Sequence, residues 1–335
     1  FGGVGINSHW GTPQNPWDKH HHRAPGGSSS GAGVSLCEGS ALVALGSDTA
    51  GSVRIPASVT GNVGLKTSYG RWPVTGVFPL SPTLDTTGIL TRTVEDAVVA
   101  FSAIDPHQRS FGPRLARQVA QCQPSDFVIG IGERSLWEGC DPGICETVDD
   151  AIKQLSKAGV HAIEATLPEV TPAIELLKIG SVAAAEIDEM LEATAPDARD
   201  TLDPLVSSRI KEGGSISASE YLRRRRELRS LSRAANARFE NCQVIVSPTV
   251  AITPPKVSDV QTIETYRPKN LGMLRNTCGA NYLSLCAITI PIGFDNAGMP
   301  VGLQLMAKHN HDESLLAIAS CMEKILGSGA SRLNC

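Results

Sequence analysis

Hydrophobic positions recur with alternating helical and strand periods from residue 93 onward. Thr93 is a helix N-cap for a segment that places Val94, Ala97, Val98 and Phe101 on one face. The pattern predicts strands at residues 127–131, 160–165, 244–246, 287–292 and 301–306, and helices at residues 146–158, 171–194, 217–239 and 312–326. Strands that alternate with helices predict an α/β fold, with a mixed central sheet covered by helices on both faces.

The first ninety residues are different, because Gly, Ser, Thr and Pro dominate them and few amphipathic periods appear. This texture predicts short buried elements joined by tight turns. Within it, residues 34–45 are small and apolar and favour a helix. Neither an internal repeat nor a dividing linker is evident, so we expect one domain over residues 1–335.

Composition excludes several classes of protein. The 335 residues carry a formal net charge of -4, with 41% hydrophobic and 4% aromatic residues. Such a chain has enough apolar surface for a core and lacks the basic field of a non-specific nucleic-acid binder. No apolar run has the ~20 residues that a membrane helix needs. We therefore expect no direct nucleic-acid partner and no membrane span.

Cysteine and histidine patterns bear on metal binding and on the cellular compartment. The nine cysteines are dispersed and none forms a C-x-x-C pair. This spacing favours buried free thiols in a reducing compartment over disulfides or a zinc site. His20, His21 and His22 lie in a loop, where a solvated turn is favoured over a metal site. We expect a cytoplasmic protein without metal or cofactor.

Four consecutive arginines at residues 223–226 could form a basic helix that binds the phosphate backbone of a nucleic acid. A helical projection instead places five apolar side chains on one stripe facing the core: Leu222, Leu228, Leu231, Ala235 and Phe239. The arginines then occupy the solvated arc, where Glu220 and Glu227 offer exposed ion pairs. Aromatic side chains for base stacking are absent from the segment. A solvated helix face is the favoured interpretation.

Candidate chemistry lies in two glycine-flanked serine segments, residues 26–31 and residues 46–58. In the second, Asp48-Thr-Ala-Gly-Ser52 places small residues directly before a serine, so that successive N–H groups can converge on one anion. A serine hydroxyl needs a base before it becomes a nucleophile, and acyl transfer needs donors for the oxyanion. The first segment offers a hydroxyl that can relay the proton. The alternative interpretation of these two segments is a flexible Ser/Gly-rich linker without a catalytic role.

These segments resemble the amidase signature, G-G-S-S-[SG]-G followed by G-[ST]-D-x-[GA]-G-S-[VI]-R-x-P. The resemblance extends along essentially the whole chain. Further matching motifs are Asn7, Gly11-Thr-Pro-Gln-Asn-Pro16, Gly61-Asn-Val-Gly-Leu-Lys66, Tyr69-Gly-Arg71, Leu84-Asp85-Thr86, Val246-Ser-Pro-Thr249, Pro291-Ile-Gly293 and Pro300-Val-Gly-Leu-Gln304. The resemblance implies an amidase-signature catalytic domain that hydrolyses a carboxamide through a serine acyl-enzyme.

The family uses a Ser–cisSer–Lys triad. By resemblance, Ser52 is the nucleophile, and Ser28, after a cis peptide bond, is the bridging serine. The backbone N–H groups of Thr49, Ala50, Gly51 and Ser52 correspond to the oxyanion hole. Ser29 and Ser47 are candidates for orienting the hydroxyls, whereas Asp48 and Arg54 are expected to form an internal charge pair.

The catalytic lysine is where this sequence departs from the family. The family's lysine lies tens of residues before the serine cluster, whereas the first lysine here is Lys19, in a loop. Lys66 lies outside the family's lysine motif and is expected to be structural. The resemblance therefore implies a domain that lacks its N-terminal portion, and we expect this 335-residue chain to have little activity.

Two other functions stay open at this stage. One is the glutaminase component of a tRNA-dependent amidotransferase, and the other is a non-catalytic binding protein on the amidase fold. The expected partner is a small-molecule amide, while a homodimer and an amidotransferase partner protein stay open as well. Arg275, Asn276 and Asn281 are candidates for binding a carboxylated or urea-like substrate, with surface positions as the alternative.

Overall fold

The computed structural model describes residues 2–111, 114–180, 182–329 and residue 331. Its eight strands are β1 (Val43–Asp48), β2 (Val63–Lys66), β3 (Thr86–Thr91), β4 (Val128–Ile131), β5 (His161–Glu164), β6 (Val244–Pro248), β7 (Cys286–Phe294) and β8 (Pro300–Ala307). They form one sheet in the order β1-β3-β2-β7-β8-β6-β4-β5. Only the β6–β4 and β4–β5 pairs are parallel among these strands, so the sheet is mixed, as expected.

Helices connect and cover the strands. They are α1 (Ser30–Cys37), α2 (Arg54–Val59), α3 (Val94–Ile104), α4 (Pro106–Phe111), α5 (Arg114–Gln121), α6 (Ile144–Lys157), α7 (Val170–Lys178), α8 (Val182–Thr194), α9 (Pro204–Gly214), α10 (Ala218–Asn236), α11 (Ile263–Leu274), α12 (Cys278–Tyr282) and α13 (Asp312–Leu326). No helix in the described part of the chain is both long and apolar enough to cross a membrane.

Two apolar clusters lie on opposite faces of the sheet. One joins Ile288 and Leu305 to side chains of α3, α5, α6 and α13. The other joins Ala287 and Met306 to side chains of α2, α7, α10, α11 and α12. Neighbouring strand residues contribute to different clusters because side chains alternate along a strand. The expectation of helices on both faces is therefore confirmed.

Local signals define several helix ends. Thr93 accepts a hydrogen bond from the Asp96 N–H at the start of α3, and Ser217 accepts one from the Glu220 N–H at the start of α10. Thr93 is the predicted N-cap, and Ser217 is the residue at which the predicted helix 217–239 begins. The bounds predicted for the last helix, residues 312–326, are those of α13.

The prediction of helix over residues 34–45 is wrong in its second half. Helix α1 ends at Cys37, and the chain then enters β1, which pairs antiparallel with β3. Gly39 adopts a φ of 75° at the turn between them. Small apolar residues fit either structure, and the unpaired edge of β3 decides in favour of a strand.

The predicted face of α10 is partly wrong. Leu228 and Ala235 are buried as expected, but Leu222 is 49% exposed. Arg224, expected in solvent, is buried and donates hydrogen bonds to Glu220 and to the Gly180 carbonyl. Its neighbour Arg223 forms the predicted exposed ion pairs with Glu220 and Glu227. The arginine run therefore serves helix packing and surface pairing.

Candidate active site

A five-residue loop between β1 and α2 carries Ser52. Gly51 precedes it with a φ of 133°, in the region that favours glycine. A Cβ atom at Gly51 would lie 2.1 Å from Thr277 Oγ1, which is closer than atoms can approach. The glycine is thus needed both for the turn and for the close approach of α12.

Asp48 holds this loop from inside. Its Oδ1 accepts a hydrogen bond from the Gly51 N–H at 2.7 Å, and its Oδ2 accepts one from the Val53 N–H at 3.1 Å. Arg54 donates to both carboxylate oxygens, and the two side chains are fully buried. Burial raises the pKa of Asp48, but Arg54, Lys66 and the Val53 N–H together hold that pKa below its usual value. The predicted internal charge pair is confirmed.

Arg54 also ties the loop to distant parts of the chain. It donates to Gln304 Oε1 at 2.6 Å, to Asn281 Oδ1 at 2.6 Å and to the Thr277 carbonyl at 2.9 Å. Thr277 in turn donates its hydroxyl to the Ala50 carbonyl at 2.7 Å. The role of Gln304 was not predicted, although a glutamine inside the apolar β8 strand is a signal for a buried polar contact.

For Asn276 and Asn281 both alternatives considered from the sequence, substrate binding and a surface position, are wrong. Asn281 is 4% exposed, accepts from Arg54 and donates to the Asp48 carbonyl. Asn276 is 1% exposed and donates to the Leu136 and Pro248 carbonyls. Arg275 donates to the Asn276 side chain. The two asparagines are buried and do not line the Ser52 cleft, because their side-chain amides form hydrogen bonds within the protein.

Ser52 lies at the wall of a cleft that Thr49 and Ala50 also line. Its side chain is nearly buried, with the residue 8% exposed. Among the described residues, the N–H groups of Thr49, Ala50 and Ser52 have no protein acceptor. The Gly51 N–H differs from expectation, since it donates to Asp48. Three N–H groups beside the serine are therefore available to an anion in the cleft.

The first serine segment packs against the Ser52 loop. The Gly27–Ser28 peptide bond is cis, as the family resemblance implied. The Ser29 N–H donates to the Ser52 carbonyl at 3.2 Å, so the two segments run side by side. Ser28 is exposed, and within the described chain its hydroxyl forms no hydrogen bond to the Ser52 hydroxyl. A Cβ atom at Gly27 would lie 2.3 Å from the Gly2 carbonyl oxygen, so this position also requires glycine.

The other serines of the two segments have separate environments. Ser29 Oγ lies 2.7 Å from where a Cβ atom would stand on Gly46, and it therefore packs on β1. Ser47, on β1, lines a different cleft beside Trp72. Ser30, which was not singled out, donates its hydroxyl to the Gly26 carbonyl at 2.7 Å and stabilises the turn.

Asp85 supports the cleft from another side. Its Oδ1 accepts a hydrogen bond from the Thr49 hydroxyl at 2.6 Å, and its Oδ2 accepts from the N–H groups of Leu80 and Ser81. Burial raises the pKa of this carboxyl group, although the hydrogen bonds act in the opposite direction. The carboxyl group thereby joins the Thr49 end of the loop to a turn that lines the cleft at Leu80.

The two lysines considered from the sequence do not contact the serines. Lys19 is exposed. Lys66 is fully buried, and its Nζ donates to the carbonyls of Thr67 and Leu285 at 2.7 and 2.8 Å. Burial, with a contribution from Arg54, lowers the pKa of Lys66 to about 8. Its contacts agree with the expected structural role.

Residues 1–316 match the family model described as Amidase. The chain belongs to the amidase family. Its mixed sheet with helices on both faces is the fold of the solved amidase structures that it resembles. Family and fold together place this amidase among the enzymes that hydrolyse an amide carbon–nitrogen bond.

Three curated relatives align along nearly all of this amidase. It is 44% identical to the 2-amino-5-chloromuconic acid deaminase of Comamonas testosteroni, over 99% of this chain and 71% of the relative. It is 32% identical to a fatty acid amide hydrolase of Oryza sativa subsp. indica, over 97% of this chain and 55% of the relative. It is 33% identical to the A subunit of the glutamyl-tRNA(Gln) amidotransferase from Akkermansia muciniphila, over 97% of this chain and 74% of the relative.

A solved structure supports the same assignment. The 6-aminohexanoate cyclic dimer hydrolase, complexed with substrate, superimposes with a TM-score of 0.85 and 25% sequence identity. The match covers 99% of this amidase and 74% of the hydrolase. The amidase thus spans about half to three quarters of the length of the proteins that it matches.

Proposed function

We propose that this amidase hydrolyses a small-molecule carboxamide through an acyl-enzyme on Ser52. The observation that carries the proposal is the position of Ser52, at the wall of the cleft with three N–H groups that have no protein acceptor among the described residues. Preorganised N–H donors of this kind stabilise the oxyanion of acyl transfer, which is commonly the largest contribution to such catalysis.

In the proposed reaction, the Ser52 Oγ attacks the amide carbonyl carbon while its proton passes to the Ser28 hydroxyl, which gives its own proton to a base. The oxyanion accepts hydrogen bonds from the N–H groups of Thr49, Ala50 and Ser52. The carbon–nitrogen bond then breaks, and the amine leaves with a proton returned through Ser28. Water hydrolyses the ester and releases the carboxylic acid. Gly51, whose N–H donates to Asp48, serves here as the backbone turn.

The base beyond Ser28 stays a prediction from the family resemblance. No lysine among the described residues forms a hydrogen bond to Ser28 or Ser52. Ser29 and Ser47 are proposed to orient the reacting hydroxyls only indirectly, since Ser29 packs on β1 and Ser47 lines a different cleft. The single eight-stranded sheet supports the interpretation of residues 1–335 as one catalytic domain, and the eight described free cysteines support a cytoplasmic location.

Covalent labelling tests the nucleophile without requiring a complete proton relay. A fluorophosphonate should modify this chain once, and peptide mass spectrometry should locate the adduct on Ser52. Ser52→Ala should abolish labelling, whereas Ser28→Ala should leave the adduct on Ser52. The exposed Ser40→Ala is the matched control and should label at the normal rate. An adduct that persists in Ser52→Ala would refute the proposal.

A second candidate is favoured by the 33% identity to the A subunit of an amidotransferase. In that case the amidase would release ammonia to a partner protein, and its substrate amide would be glutamine. Co-purification of the endogenous protein distinguishes the two functions. A stable partner together with glutamine-dependent ammonia release supports the amidotransferase, whereas hydrolysis of other carboxamides by the unpartnered protein supports the first proposal.

A further inference from the structure

The cleft beside Ser52 has a mostly aliphatic lining. Leu80 lines it from the segment before β3, and Leu177 lines it from α7. Arg209, the charged side chain of the lining among the described residues, donates a hydrogen bond to the Tyr266 hydroxyl. A lining of this kind suits the apolar part of a ligand, while the N–H groups of the serine loop meet its polar part.

Helix α8 contributes two small side chains to this cleft. Ala183 and Ala184 line the space, and Ile187 lines it one turn further along the helix. Ile187 is buried and packs in one apolar cluster with Ile210 of α9 and with Leu80. Along α8 the wall of the cleft therefore changes from two alanines to an isoleucine over a rise of about 5 Å.

The position of α8 is fixed by its contact with α9. Gly213 of α9 lies so close to α8 that a Cβ atom there would be 2.1 Å from the Ala184 carbonyl carbon. This contact sets the separation of the two helices, because closely packed backbone atoms cannot yield as a flexible side chain can. The space in front of Ala183 and Ala184 is therefore set by the size of their own side chains.

A carboxylate ties α8 to the segment before β3 that also lines the cleft. Glu186 of α8 accepts hydrogen bonds from the hydroxyls of Ser81 and Thr83, and from the Thr83 N–H at 3.2 Å. It also accepts one from the Tyr221 hydroxyl of α10 at 2.6 Å. These bonds hold α8 at one distance from that segment, so the width of the cleft depends on the side chains that line it.

We propose that Ala183 and Ala184 determine which substrates this amidase accepts. The inference rests on the proposed function, since it places the acyl group of the substrate in the cleft that Ser52 lines. The two methyl side chains leave room there for an aliphatic acyl group, whose burial stabilises the complex. The substrate class is then an aliphatic carboxamide, and larger residues at these two positions would restrict it to short acyl groups.

Binding to the Ser52→Ala chain tests the inference without turnover. The ligands are butanamide, hexanamide and octanamide, and titrations followed by ligand-detected NMR give the dissociation constants. Affinity should rise about three- to fourfold with each methylene group that the cleft buries. In this background, Ala183→Leu and Ala184→Leu should each weaken octanamide binding about tenfold, which corresponds to the exclusion of about two methylene groups. Both variants should bind butanamide within about twofold of the Ser52→Ala chain.

The next alanine of α8 provides the matched control. Ala185 lines a separate groove with Asp188 and Glu189. Ala185→Leu makes the same change in size on the same helix and should leave octanamide binding within about twofold. If Ala184→Leu fails to fold, Ala184→Val makes the same test with a smaller side chain. Unchanged octanamide binding in the folded variants at positions 183 and 184 would overturn the inference, and so would an equal loss in Ala185→Leu.

The outcomes separate this inference from the proposed function. If the fluorophosphonate labels Ser52 but octanamide binding does not depend on Ala183 or Ala184, the inference is wrong and the nucleophile assignment stands. If octanamide binding depends on the two alanines but the adduct forms elsewhere than Ser52, the acyl-binding cleft stands and the assignment of the nucleophile is wrong.

Discussion

The two faces of the central sheet use adjacent residues of the same strands in different ways. On one face, β7 and β8 present Ile288 and Leu305 to α3, α6 and α13, and the packing is apolar. On the other face, Thr289 and Gln304 stand directly opposite each other in the register of the two strands. Thr289 shares a hydrogen bond of 2.6 Å with Thr249, and Gln304 accepts from Arg54. The second face is the one that carries Ser52.

This difference shows that the Ser52 loop is held in place by buried hydrogen bonds as well as by apolar packing. Apolar packing is tolerant of shape, whereas a buried hydrogen-bonded network has one arrangement that satisfies all its groups. Asp48 and Arg54 are both fully buried on the active-site face, and their contacts extend from the Ser52 loop to β8. The face with the buried polar network therefore positions the nucleophile, although both faces carry an apolar cluster.

Replacement of Arg54 by methionine should produce the largest effect on stability. It leaves the Asp48 carboxylate buried without its partner, and the expected loss is about 3–5 kcal/mol in the free energy of unfolding. Urea unfolding measures the loss. Leu305→Met on the apolar face is the matched control and should cost less than about 1.5 kcal/mol, because volume is nearly conserved. Adding Asp48→Asn to Arg54→Met should recover part of the stability, and no recovery would contradict the buried-charge explanation.

Two neighbouring residues of β7 allow a finer comparison. Thr289→Val removes a hydroxyl and leaves that of Thr249 without this partner, for an expected loss of about 1–3 kcal/mol. Ile288→Val, one residue away on the apolar face, deletes a methylene group and should cost about 0.5–1.5 kcal/mol. Chemical denaturation of both variants checks the order. A larger loss for Ile288→Val would show that hydrogen bonding does not distinguish the faces.

The last comparison concerns pH and a carboxyl group near the apolar face. Burial raises the pKa of Glu323, on α13, from 4.5 to about 7, while its oxygens accept from the Val94 N–H. The folded chain then binds more protons than the unfolded chain between these values, so stability should fall as pH rises from about 4.5 to 7. Glu323→Gln should flatten the slope in thermal melts across this window. If the slope of stability against pH is unchanged in Glu323→Gln, groups other than Glu323 cause the pH dependence.

Sequence patterns were sufficient where a feature depends on residues close together in the chain. Helix α13 has its predicted bounds because its apolar period is long and regular. The Asp48–Arg54 pair was predicted because both residues belong to one motif around a tight turn. The exchange of helix for strand at β1 was not predicted, since pairing with β3 and not local preference decides that segment.

The amino-acid sequence by itself determined the fold class, the family and the two serine segments, because each follows from local periodicity or from a contiguous motif. Tertiary structure alone decided which polar residues support the loop and which line the cleft. Arg54 meets Gln304 across 250 positions of the chain, and Arg209 reaches the Ser52 cleft only because α9 packs beside α8 and α11. In the sequence, Asn276 and Asn281 are polar residues that could bind a ligand, yet both are buried and form hydrogen bonds within the protein. Their roles depend on distances between segments far apart in the chain, which only the folded backbone sets.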